Sequence, residues 1–428
     1  MITLILFAIF LAIALGYVTR INIGLFAIAF AYIIGSFFMG LKPKEIINFW
    51  PMSIFFIIFA VSLFYNFAQI NGTLEKLALN LVKRFQNHPY LLPFAVFIVA
   101  SIIAAMGAGF YSVLAFMAPI TFLICAKSGL SRIGGAIAIN YGALAGANFP
   151  TSQSGIIFTN LMKGAGVDSD TAFINAFWIF LVSFILPFFV IAIFAFKAKV
   201  SNVKVDIIET IEPFDRKQKI TLVLMILMML SILIFPILHI LFPDNAGVNF
   251  MHKNIDIGFV AIFFVLLALL FKLGSDKKVI ALVPWDTLIM ICGVGILISI
   301  ALKAGVIDEL SSFLGKNIPV LLIPIAMMII AAFMSLFSST LGVVTPALFP
   351  VVPGLALASG IDPAILFISI VIGAQASAIS PFSSGGSLVL GCAEEEYKNT
   401  LFKELIFKAV PLCFAAAFAS SIILMIFF

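Results

Sequence analysis

Residues 106 to 155 align without a gap to residues 337 to 386, so the chain carries one pattern twice at an offset of 231. Pro119 falls on Pro350, Gly142 on Gly373, Ala145 on Ala376, Pro150 on Pro381, Ser152 on Ser383 and Gly155 on Gly386. These matches are helix breakers and small residues inside apolar stretches. Backbone is left non-helical at membrane depth only where it lines a cavity or is buried in protein, so paired Gly/Pro interruptions point to a binding site between two halves. The echo extends outward with small drift: INIGLFAIAF from Ile21 resembles IDIGFVAIFF from Ile255, and INGTLEKL near Gly72 is answered by KAGVIDEL near Gly305.

The duplicated unit is membranous, because 63% of residues are hydrophobic, 10% are charged, and apolar runs recur along all 428 residues. Windows of about 20 apolar residues predict spans near 1–18, 22–40, 52–70, 132–162 and 171–196, and again near 219–241, 255–273, 285–302, 362–392 and 404–428. Residues 1–18 have no basic segment before them and read as a retained span. Two stretches, 90–127 and 318–358, are too long for one span and are broken by small polar residues, which predicts re-entrant hairpins. Amphipathic segments at 73–86 and 306–316 precede them, as expected of helices lying in the interface. The fold class is therefore an all-α polytopic membrane protein with repeats at 1–197 and 219–428, joined by a cytoplasmic linker at 198–218. Each repeat has five spans plus a hairpin, and the broken helices lie at 132–162 and 362–392.

Five is odd, so the two repeats have inverted topology. Placing the linker on the cytoplasmic side puts 18 of the 24 basic residues inside and leaves Lys42, Lys44, Lys163, Lys253, Lys303 and Lys316 outside, with both termini extracytoplasmic in a cell (inner) membrane. This bias accounts for the net charge of +5 without a nucleic-acid partner; the partner it implies is the lipid bilayer.

Every Asp and Glu can be placed in a loop or at a span end, and His88, His239 and His252 also fall near span ends, so no proton relay is evident in the membrane. No His/Cys/Asp/Glu cluster suggests a metal or a cofactor, and no serine is paired with a base, so an intramembrane enzyme is disfavoured. Cys125, Cys292, Cys392 and Cys413 read as packing residues. What remains at the midplane is hydroxyl, amide and exposed backbone. GANFPTSQSG (Gly146 to Gly155) interrupts one span and ASAISPFSSGG (Ala376 to Gly386) its counterpart. Half-helix N-termini there present free N–H groups to an anion, and freed carbonyls can hold a cation.

From INIGLFAIAFAYIIG through NGTLEKLA to GANFPTSQSG the chain resembles the dicarboxylate carriers of the MatC type, within the larger ion transporter superfamily, and the hairpin-then-broken-helix pattern is similar to its divalent anion/sodium symporters. The resemblance implies an elevator-type secondary transporter, a homodimer, that moves a small organic anion of the malonate or C4 dicarboxylate class. In the symporters a Ser-Asn-Thr triplet at each hairpin tip holds substrate carboxylate. Ser338-Ser339-Thr340 is a near match, whereas Gly107-Ala108-Gly109 departs from it and offers only backbone groups. The substrate site is accordingly expected from Ser338, Ser339, Thr340, Ser383 and Ser384 on one side, with Asn148, Thr151 and Ser152 on the other, lining one cavity.

Without a titratable group, the coupling ion is expected to be Na+. Its sites are expected around Gly107, Ala108 and Gly109 with Asn148, and around Ser338, Ser339 and Thr340 with Ser380. A cation/proton antiporter, an oxyanion extruder of the same superfamily and a non-transporting membrane receptor are the alternatives. The missing carboxylates count against the first, the duplicated broken helices against the last.

Overall fold

The computed structural model describes residues 2–85, 88–128, 130–197 and 211–427, and every regular element within them is helical. Residues 198–210 of the expected linker lie outside the described residues. The first half contains α1 (Ile2–Thr19), α2 (Ile23–Tyr32, continued as a π-turn by Ile33–Phe38), α3 (Pro43–Ile47), α4 (Met52–Ile70) and α5 (Thr73–Lys83). It continues with α6 (Leu92–Ile103), α7 (Phe110–Ser128), α8 (Arg132–Ala147), α9 (Gln153–Gly164) and α10 (Ser169–Lys197). The second half runs through α11 (Arg216–Leu241), α12 (Ala246–Asn254), α13 (Ile257–Leu270), α14 (Asp276–Ala281), α15 (Trp285–Lys303) and α16 (Val306–Asn317). It ends with α17 (Ile323–Phe337), α18 (Thr345–Leu348), α19 (Val352–Ser359), α20 (Pro363–Ala376), α21 (Ser384–Gly391), α22 (Glu395–Glu404) and α23 (Val410–Phe427).

Each expected span has its helix; the stretches expected to be hairpins are α6 with α7 and α17 with α18–α19, and their second arms, Phe110–Ser128 and Thr340–Ser359, are each long and apolar enough to cross a membrane. Among the described residues seven helices are long and apolar enough to cross a membrane, or nine if each bent pair is one span. One such pair is α16 with α17, bent by 120°, where the interfacial helix turns into the hairpin arm. The short helices α3, α12, α14 and α22 were not anticipated, because they are too brief and too polar to stand out as apolar runs.

Close approaches recur at the sequence offset. A Cβ on Gly142 would lie 2.5 Å from the Phe97 carbonyl oxygen, and one on Gly373 would lie 2.3 Å from that of Met328. The hairpin arm therefore presses on the broken helix at equivalent points in both halves, and only glycine fits there. Gly72 and Gly305, just before the two interfacial helices, both take left-handed φ, +70° and +75°. The halves also exchange partners: α2 packs on α15, and its counterpart α13 packs on α4.

Two apolar cores result. The larger spans both halves around the hairpins and broken helices; the smaller joins α1 and α2 to α15 through Ile5, Ala27, Leu297 and Ile300. Large apolar side chains remain exposed on the outside, among them Phe7, Phe189, Phe259 and Leu270, as a lipid-facing surface requires.

Candidate functional site

Both broken helices stop for the same local reasons. Proline at 150 and 381 supplies no N–H, and the chain turns instead through Ser152 N–H to the Phe149 carbonyl (2.8 Å) and Ser383 N–H to the Ser380 carbonyl (2.9 Å). A glycine then packs the new helix onto the turn: a Cβ on Gly155 or on Gly386 would lie 2.1 Å from the carbonyl oxygen of Phe149 or Ser380. Ser383 caps α21, its Oγ accepting from Gly386 N–H at 3.1 Å and donating to the Ala378 and Ser380 carbonyls. Ser152 occupies the same place before α9, but its Oγ donates to the Ala104 carbonyl at 2.6 Å, tying this break to the first hairpin tip.

The second tip is built from hydroxyls. Ser338 Oγ donates to the Met334 carbonyl (2.6 Å), Ser339 Oγ accepts from Gly342 N–H (3.1 Å), and Thr340 Oγ1 lies 3.1 Å from Ser335 Oγ. Ser338, Ser339, Thr340, Ser383 and Ser384 line one cavity of about 40 Å³, as the sequence leads one to expect. Sequence reasoning missed two residues here, one on the cavity wall and one behind it. Tyr111, the second residue of α7, lines the cavity with Ser339 and Ser384. Asn140, on α8, is fully buried with neither amide atom hydrogen-bonded, and its Oδ1 is 3.0 Å from where a Cβ on Gly385 would stand.

The first tip is built from backbone. Gly107 (φ +99°) and Gly109 (φ +75°) need left-handed conformations, and a Cβ on Gly107 would fall 1.9 Å from the Tyr65 ring. Gln153 Oε1 lies 2.6 Å from the equivalent point at Gly109. Gly107, Ala108 and Gly109 line a cavity of about 50 Å³ with Tyr65, Asn66, Tyr111, Ser112 and Gln153. Spaces this small accommodate a few waters or one dehydrated cation, since a water needs at least about 10–15 Å³ by this measure.

The other expected ligands are elsewhere. Asn148 is fully buried at the end of α8, donating to Ser183 Oγ (2.9 Å) and accepting from Gln375 Nε2 (3.1 Å), so its amide is satisfied by α10 and α20. Tyr141 reinforces that junction by donating to the Gln375 and Ala376 carbonyls. Ser380 is buried in the second turn, its Oγ accepting from Phe382 N–H at 3.3 Å. Thr151 lines a separate, larger cavity of about 550 Å³, and its buried Oγ1 has no hydrogen-bond partner. The single cavity expected for all these side chains is therefore divided, because Asn148 and Ser152 spend their polar atoms on cross-links.

The large cavity also corrects the reading that no metal-ligating cluster exists. Asp170 at the start of α10 meets His239 Nε2 at 3.1 Å and His252 Nε2 at 3.2 Å, with the two imidazoles stacked 4.5 Å apart. These residues are too distant in sequence for spacing to reveal them. Burial, opposed by Asp170, holds His252 below the usual imidazole range. Asp168 is held below the usual carboxylate range chiefly by the Thr171 N–H, which it accepts at 3.2 Å. Among the described residues no Asp, Glu, Lys, Arg or His side chain is buried.

Polar contacts join several loops and helix ends that are distant in the chain. Lys163, Asp170, His252 and Lys253 share one end, while Arg132 pairs with Glu394 at 2.7 Å, and Lys76 reaches the Pro213 carbonyl.

A helical membrane fold with two hairpin tips facing two broken helices defines a class met in transporters. Residues 1–147 match the family described as the dicarboxylate carrier protein MatC N-terminus, which bears out the resemblance in the sequence. The chain also shares its fold with the YdaH transporter of Alcanivorax borkumensis: TM-score 0.64 and 15% identity, over 89% of this chain and 87% of that one. No curated protein matches the chain.

Proposed function

We propose that this protein is a secondary active transporter of a small dicarboxylate of the malonate or C4 class. One observation carries the reading: the hydroxyls of the second tip line one cavity with Tyr111, Ser383 and Ser384, and the unpartnered Asn140 amide approaches Gly385 on its wall, in a protein whose buried polar side chains are uncharged among the described residues. A carboxylate bound there is held by hydroxyl, amide and half-helix N–H donors rather than by a buried counter-charge. The match of residues 1–147 to a dicarboxylate carrier family supports the substrate class.

Sodium is the proposed coupling ion, at the ion-sized cavity of the first tip and, at the second tip, beside the substrate carboxylate. The proposed mechanism is an elevator: the hairpins with α8–α10 and α20–α23 move against a scaffold of the remaining spans, in a homodimer with inverted repeats and extracytoplasmic termini. Counterflow of labelled malonate and succinate in proteoliposomes tests the function. Exchange that depends on internal substrate supports it; binding without exchange turns the reading to a receptor. Cysteines introduced at Lys163 and Lys398 test the topology, with only the first expected to react from outside.

A further inference from the structure

The cluster at the mouth of the large cavity is not used by the proposed transport site. Asp170, His239 and His252 come from α10, the last turn of α11 and α12, and one ligand atom from each lies within 4.8 Å of the others. Tetrahedral Zn2+ with bonds of 2.0–2.1 Å sets its ligand atoms roughly 3.3 Å apart. Asp170 Oδ2 stands 3.1 Å from His239 Nε2 and its Oδ1 3.2 Å from His252 Nε2, so each imidazole already has a carboxylate oxygen at that spacing, and a carboxylate bound through both oxygens with a tilt of the stacked rings brings all three residues to one ion.

Two further features favour a cation. The charged groups lining the cavity are Lys163, Lys253, Asp168, Asp170 and Asp256, three carboxylates against two ammonium groups. His239 Nδ1 is buried without a hydrogen bond, so moving the ring proton from Nε2 to Nδ1 when Nε2 takes a metal strands no atom that is not stranded already.

We propose that Asp170, His239 and His252 form a site for Zn2+ or a similar borderline divalent ion, with the fourth position open to the cavity, and that its occupancy clamps α10 to α11 and α12. Helix α10 packs on both broken helices, α8 and α20, whereas α11 packs chiefly on α13, with smaller contacts to α4, α5, α10 and Ala104–Ala108 of the first tip. A metal shared between them reinforces a junction between the broken helices' main neighbour and α11 of the proposed scaffold. The clamp rests on the elevator reading; the site does not.

The test uses the purified full chain in detergent. Calorimetry with Zn2+ is expected to give one ion per chain, and Co2+ to give the intense visible bands of tetrahedral coordination. Asp170→Asn, His239→Gln and His252→Gln are each expected to weaken binding by more than about tenfold, since even an outer-shell partner is worth that much. Absence of binding, or equal binding in all three variants, overturns the site. In proteoliposomes Zn2+ is expected to slow dicarboxylate counterflow by the wild type but not by His252→Gln; Zn2+ bound at the site with counterflow unchanged overturns the clamp. If no dicarboxylate exchanges at all, the transport reading fails while calorimetry and the cobalt spectrum still decide the site.

Discussion

Gln375 donates through Nε2 to Oδ1 of Asn148 at 3.1 Å, joining the two broken helices to each other where each of them stops. Asn148 passes the link on to α10 through Ser183, so three elements meet in one buried polar chain. Low local dielectric makes such a chain strong when satisfied and costly when cut.

Cutting it is expected to cost stability first. Asn148→Ala and Gln375→Ala each strand a buried partner, which costs about 1–3 kcal/mol. The double variant is expected to lose less than the sum, because the second removal strands nothing new. Thermal unfolding of the four proteins in detergent measures this. Strict additivity would show that the two amides do not depend on each other.

A second expectation concerns Asn140, whose buried amide makes no hydrogen bond in the protein. Asn140→Leu keeps the branched four-atom skeleton, though with more bulk, removes an unpartnered polar group from the core and is expected to leave the melting temperature close to that of the wild type. Substrate exchange is expected to fall sharply, since the amide stands free beside Gly385, which lines the second-tip cavity. Loss of folding with the leucine in place would mean that the amide has a structural partner, a water for instance. Normal exchange would remove it from the site.

Legibility in the sequence followed distance along the chain. Spans, hairpins and breaks were plain because apolar runs, Gly and Pro act locally, and Gly142 and Gly373 turn out to face equivalent carbonyls. The Ser338 to Thr340 tip was legible as a hydroxyl cluster in an apolar hairpin. Asn148 looked like a ligand because an amide beside a broken helix has the right chemistry; its partners Ser183 and Gln375 lie 35 and 227 positions away, and no pattern announces them. Tyr111 and the Asp170, His239 and His252 group were missed for the same reason: only packing brings them together. Asn140 carried a signal, an amide within an apolar span.

The first tip makes a conformational prediction. Gly107→Ala forces a side chain into φ +99° and into the Tyr65 ring. Adding Tyr65→Ala relieves the clash but not the dihedral, which alone costs on the order of 1–3 kcal/mol. Tyr65→Ala opens a cavity of its own, so the expected signature is that Gly107→Ala lowers the melting temperature less in the Tyr65→Ala background than in the wild type. Wild-type stability for Gly107→Ala would mean that the tip rearranges freely.

Substrate affinity tests the second tip. Thr340→Ala and Tyr111→Phe are expected to weaken succinate or malonate binding by about 1–3 kcal/mol each, the cost of removing one partner from a buried hydrogen bond. Both lie among the Ser338, Ser339, Ser383 and Ser384 hydroxyls, so the loss should appear in the apparent affinity of counterflow with expression unchanged. Unaltered affinity in both variants would place the substrate elsewhere, with the Thr151 cavity the next region to probe.

Coupling follows from which groups lie at depth. A proton-driven symporter usually carries Asp, Glu or His within the membrane, and none is buried among the described residues. The tips offer instead two cavities of about 50 and 40 Å³ lined by carbonyl, amide and hydroxyl oxygens, a size and ligand set suited to Na+. Gln153 brings the one side-chain carbonyl next to Gly109, where the tip itself supplies only backbone. Gln153→Leu is therefore expected to lower apparent sodium affinity about tenfold, in line with about 1.5 kcal/mol for a contact to a charged group, while leaving substrate affinity at saturating sodium near that of the wild type. Uptake into proteoliposomes with sodium and pH gradients imposed separately measures both effects. Accumulation driven by a proton gradient alone, in sodium-free buffer, would show that the proton travels with the substrate and that the ion-sized cavities serve another purpose.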